Sequence, residues 1–133
     1  MSETARIANG LIDRTLPKAE WTHQAHLRAG LWHVLTFGED EALRLLRERI
    51  TRYNASVGTA NTDSSGYHET LTRFYVGLIA RFVAECQTAM TVDGLAELLI
   101  ARHGDRELAL RFYSRERLFS VEARRRWVEP DLR

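Results

Sequence analysis

The sequence predicts an all-α domain, and three features carry that prediction. Apolar residues recur at steps of three and four along most of the chain, and no stretch sustains the period-two alternation of a half-buried strand. Both prolines, Pro17 and Pro130, lie at boundaries, which leaves the interior free of strong helix breakers. The 133 residues suffice for one hydrophobic core and are too few for two, so the expected unit is a single domain, 1–133.

The helices are read in order. The first covers Glu3 to Arg14, with Ile7, Leu11 and Ile12 on one side. Pro17 opens a turn, and Thr22 is placed to cap a second helix from His23 to about Thr36, closed by Phe37-Gly38. Glu39-Asp40-Glu41 puts negative charge into the first turn of a third, where the helix dipole favours it; Leu43, Leu46 and Ile50 form its buried stripe as far as Tyr53 or Asn54. Ser56 to Gly66 has the composition of a loop. The clearest helix is the fourth, Tyr67 to Glu85, whose Leu71, Phe74, Tyr75, Leu78, Ile79, Phe82 and Val83 keep the spacing of a core-facing surface. A fifth spans Val92 to Arg102, a sixth runs from an Asp105 cap to about Tyr113, and Ser120 caps a last one, Val121 to Trp127. The expected architecture is a bundle of four main helices with short C-terminal ones.

Composition excludes several classes. Formal net charge is +1, without the basic excess of a non-specific nucleic-acid binder. Residues 101–133 carry nine arginines against six acidic residues, and Arg124-Arg125-Arg126 reads as a solvated helix face. One cysteine, Cys86, allows no internal disulfide and no thiolate-rich metal site. No apolar run reaches membrane-spanning length, and the N-terminus lacks the pattern of a secretory leader, so a cytoplasmic protein is expected.

Chemistry concentrates in the histidines. His23 and His26 stand three apart in one helix, about 60° apart around its axis and close enough to share a ligand. His68 lies at the start of the fourth helix and projects onto its core-facing side. Glu69 projects to the far side; with Gly66 as cap it would reach back to the cap amide, although a frayed first turn would rotate it inward. All three histidines lie in or near a first helical turn, whose positive end disfavours imidazolium and keeps the rings neutral, the form that binds a metal or acts as a base. If the starts of the second and fourth helices meet, His23, His26 and His68 form a three-nitrogen site with an open position, the arrangement of a catalytic metal centre. Zinc, iron, copper or nickel would fit such ligands, and Glu69, Asn61 or Asp63 could supply a fourth. A metal-free acid–base pocket and purely structural histidines are the alternatives. His33 is about 10 Å from His26 by helix rise and is read as structural, as is His103 at a helix C-terminus.

Trp21, Tyr53, Asn54, Asn61 and Tyr67 gather in sequence around the same place and become pocket or lid residues if the loop folds over the helix starts. Trp21 reads equally well as a hydrophobic staple, and Asn54 as a helix terminator. The expected partner is a small molecule, anionic if the helix N-termini converge on it, with neither nucleic acid nor membrane involved.

The blocks W-T-H-x-A-H-L (Trp21 to Leu27), R-Y-N (Arg52 to Asn54), G-Y-H-E-T (Gly66 to Thr70) and W-V-E-P-D-L (Trp127 to Leu132) resemble a family of small uncharacterised bacterial proteins. The resemblance covers most of the chain. It implies a bacterial cytosolic domain and transfers no mechanism. The sequence thus leads to a metal-dependent enzyme acting on a small molecule, with a non-catalytic ligand-binding or protein-interaction domain as the alternative.

Overall fold

The computed structural model describes residues 1–86 and 89–132, and among them the fold is all-α, with seven α-helices and no strand. They are α1 (Glu3–Asp13), α2 (His23–Phe37), α3 (Glu39–Ser56), α4 (Glu69–Glu85), α5 (Val92–His103), α6 (Arg115–Leu118) and α7 (Val121–Arg125). Short 3-10 turns at Lys18–Glu20 and Leu108–Arg111 complete the helical content.

Hydroxyl caps set most of the starting points. Ser2, Thr22, Thr91, Ser114 and Ser120 each accept a hydrogen bond from the backbone N–H three residues on, satisfying a donor that the helix itself leaves orphaned. The start of α1 is held further by α5: Asp93 accepts the N–H groups of Glu3 and Thr4 at 3.0 and 2.8 Å, a negative charge where the dipole favours it.

The structure corrects three boundaries. Helix α4 begins at Glu69, two residues later than its periodicity suggests, because the cap is His68 and not Gly66. The expected helix from Asp105 shrinks to the 3-10 turn Leu108–Arg111: the Asp105 carboxylate bonds the Glu107 N–H and the Arg111 guanidinium and folds the segment into a turn. Ser114 then caps α6, which periodicity did not reveal because the helix is only four residues long.

Helix α2 lies at the centre and packs on α1, α3, α4 and α5, which explains an apolar sequence with little amphipathic contrast. Leu11, Leu27, Leu31, Leu46, Ile79 and Leu99 form the heart of this main core. A smaller core, built on Phe74, Leu108, Tyr113, Leu118, Ala123 and Val128, lies between α4 and the C-terminal segment. Two buried hydroxyls fasten that segment. Thr70 donates to the Arg126 carbonyl and accepts from the Val128 N–H, and Tyr113 donates to the Val128 carbonyl. Among the described residues no helix is long and apolar enough to cross a membrane.

Candidate functional site: a cavity between α2, α3 and α4

The starts of α2 and α4 and the end of α3 border a cavity of about 740 Å³. Leu27, Leu46, Ile50, Val76 and Ile79 give it apolar walls, and Trp21, His23, His26, Asn54, His68 and Tyr75 bring polar atoms to it. Gly30 lets α2 and α4 approach on one side: a Cβ there would stand 2.8 Å from Ile79 Cδ1. Lys18 and Arg106 also line the cavity, and among the described residues no carboxylate does.

The four histidines of α2 and α4 divide by what their ring nitrogens already do. His33 is fully buried and spent: Nδ1 lies 2.7 Å from the Ala29 carbonyl and must donate to it, so Nε2 accepts from the Arg49 guanidinium at 2.9 Å. Its structural reading holds. His68 is spent too. Its Nδ1 accepts the Leu71 N–H and caps α4, while Nε2 donates to the Leu118 carbonyl at 2.7 Å and ties α4 to the smaller core. A ring used at both nitrogens has no lone pair left for a metal. The expected three-nitrogen centre therefore lacks its third ligand, and among the described residues no group of three His, Cys, Asp or Glu could hold an ion.

His26 is half spent. Its Nδ1 donates to the Thr22 carbonyl at 2.7 Å and its ring stacks on Trp21 at 3.8 Å between centroids, which leaves a lone pair on Nε2. The residue is exposed at the cavity, and the protein crowded around its ring lowers its pKa against the pull of the Thr22 carbonyl. His23 makes no side-chain hydrogen bond, and its Nε2 is buried without a partner. Burial, with the charge of Arg106 adding to it, holds this ring below the ordinary imidazole range. Edge-on to it at 5.5 Å is Tyr75, whose buried hydroxyl also lacks a partner and whose pKa burial raises to about 12. These are the two buried side-chain polar atoms left unpaired among the described residues.

The remaining expected residues separate. Trp21 lines the cavity and stacks on His26, so it is a pocket wall. Asn54 lines it as well and donates to Asn61 Oδ1 at 3.1 Å. Tyr53 does not line it: the side chain is fully buried and its hydroxyl donates to the Leu16 carbonyl. Asn61 works within the loop, accepting from the Tyr67 N–H and donating to the Thr51 carbonyl. That clamp presses against Gly66, where φ is +78° and a Cβ would meet the Ala60 carbonyl oxygen at 2.5 Å. Tyr67 lines the cavity with its ring and donates its hydroxyl to Glu69 at 2.7 Å. Glu69 is buried as expected of neither role assigned to it. It is the first residue of α4, it receives a two-pronged ion pair from Arg47 at 2.9 and 2.6 Å, and it lies outside the cavity lining. Asp63 is exposed and paired with Arg125.

In sequence Tyr75 stands on the α4 stripe and, in the non-catalytic ligand-binding reading, lines an aromatic pocket with Trp21, Tyr53 and Tyr67; of these four, all but Tyr53 line the cavity. The position of Tyr75 seven residues beyond His68, two turns along one face, was the available signal. Lys18 and Arg106 lie in turns where no periodicity operates, so nothing local marked them.

Fold and site together define an all-α domain with a half-open cavity lined by two cations and by neutral polar and apolar side chains. No protein-family model, curated protein or solved structure matches this chain.

Proposed function

We propose that this chain binds a small, partly apolar anion in the cavity, with His23 and Tyr75 as the polar contacts at the ligand. The observation that carries this reading is the pair of buried, unpartnered atoms, His23 Nε2 and Tyr75 Oη, on two rings packed edge-on that both line the cavity. Leaving a buried polar atom unmade costs about 1–3 kcal/mol each, and a ligand that supplies the missing bonds recovers it. A neutral imidazole beside a phenol can also exchange a proton with what it binds, so acid–base chemistry belongs to the same reading. Lys18 and Arg106, set against the Asp105 carboxylate that acts on both His23 and Tyr75, supply the preference for negative charge.

A second reading, a metal-dependent enzyme using zinc, iron, copper or nickel, draws on His23 and His26. Each keeps a nitrogen free, and they lie close enough for one charge to oppose the other. Titration with straight-chain carboxylates from acetate to octanoate separates the two. The anion reading expects affinity that grows with chain length and falls about tenfold or more in Arg106→Ala and in His23→Phe. Stoichiometric metal in untagged protein, lost in His23→Ala and His26→Ala, would favour the second reading. Carboxylate binding indifferent to Arg106 and His23 would overturn the first.

A further inference from the structure

Beyond the cavity, a second concavity of about 570 Å³ opens on the surface where α3, the 57–68 loop, α4 and the end of α7 meet. Among the described residues five arginines line it, Arg47, Arg73, Arg124, Arg125 and Arg126, with Asp63 and Glu69 as the only carboxylates. The triplet that reads in sequence as a solvated face therefore joins arginines of two other helices.

Both carboxylates are already used. Asp63 takes Arg125 through two bonds of 2.7 Å, and Glu69 takes Arg47 through two of 2.9 and 2.6 Å. Three guanidiniums remain without a carboxylate among the described residues. Two of these are held in place. Arg73 lies over the Trp127 ring at 4.7 Å, and Arg124 donates to the Gly66 and Tyr67 carbonyls at 3.0 and 3.3 Å. Arg126 is exposed beside them, with no side-chain partner among the described residues. A guanidinium has five donors in a rigid fork, and these bonds occupy only some of them. Four of the five arginines are thus fixed before anything arrives, which reduces the entropy lost on binding.

We propose that this cleft is a binding site for a small phosphate-bearing anion, whose oxygens take the free donors of Arg73, Arg124 and Arg126. Phosphate oxygens match arginine forks in pairs, and concentrated positive charge in a concave surface draws such anions in. The cleft has the volume of a small ligand, and a chain of net charge +1 carries no extended basic track for a polymer. The site shares only Tyr67 with the cavity, so it stands whether or not the proposed function does.

Isothermal titration of the full chain with pyrophosphate at low salt tests it. The expected result is saturable one-to-one binding that weakens at least tenfold in Arg126→Ala and in Arg73→Ala, and is unchanged in Arg102→Ala, an exposed arginine of α5 outside the cleft. Both cleft variants change exposed side chains, and equal thermal midpoints confirm that they are folded. Three results would overturn the proposal: no binding of pyrophosphate, binding that the two variants leave intact, or an oligonucleotide of twenty bases that binds more tightly than pyrophosphate and loses its affinity in the same variants.

Discussion

Tyr75→Phe asks directly whether the cavity wall is held in readiness for a ligand at the expense of stability. The substitution removes one oxygen and nothing else, because the ring remains packed between His23 and Phe74, at 5.5 and 5.1 Å between centroids. A buried hydroxyl without a partner costs about 1–3 kcal/mol in the folded state and nothing in the unfolded chain, where water bonds it. Its removal returns that cost. Water entering a cavity of about 740 Å³ offsets part of it, so the expected gain lies at the low end, roughly 1 kcal/mol. In a chain of this length that is a rise of about 3–5 °C in thermal midpoint. Urea denaturation at pH 7.5, wild type against variant, measures the difference without ligand, and carboxylate titration of the same variant measures the binding proposed for the cavity. A more stable protein with weaker binding is the expected pair. A variant destabilised by 1 kcal/mol or more would refute the reasoning, since it would mean that the hydroxyl has a partner within the folded chain.

Two further predictions rest on the spent histidines. His68→Ala removes the α4 cap and leaves the Leu118 carbonyl buried and unpaired, a loss of about 2–4 kcal/mol by chemical denaturation; His68→Asn, which can still cap, should recover about 1 kcal/mol of it. Stability should also fall as pH drops from 6.5 toward 4: His33, with a folded pKa of about 4, takes up its proton later than the unfolded chain does, so its contribution of roughly 3 kcal/mol is complete only above 6.5, and His33→Gln should make urea midpoints measured from pH 7.5 to 4.5 less steeply pH-dependent, the slope that remains belonging to His23, His26 and His68.

The bundle was legible because its signals are local. Thr22 and Ser120 cap where their positions say they should, and the α4 stripe buries Phe74, Ile79 and Phe82. What could not be read depends on contacts between residues far apart in sequence. Glu69 points toward Arg47, twenty-two residues away, and that pairing draws its carboxylate out of the capping geometry a local reading assigns it. Tyr53 belongs to Leu16, and Arg106 reaches the cavity from a turn after α5. Residue type and spacing put each of these in the right neighbourhood and left the direction of the side chain open.

The histidines sharpen that distinction. Starting a helix was the feature that grouped His23, His26 and His68, and each ring is indeed held below the ordinary imidazole range. Burial is the largest cause in all three, however, and a neutral ring is available for chemistry only where the chain has left a nitrogen free. His68 sits at the cap position itself, so its acceptor nitrogen meets an orphan N–H of its own helix, and the Leu118 carbonyl takes the other. His23 is one residue inside α2, where Thr22 already performs the cap, and among the described residues nothing hydrogen-bonds its ring nitrogens. The Thr22 hydroxyl at the cap of α2 leaves the His23 ring nitrogens unbonded, whereas His68 at the cap of α4 is bonded at both.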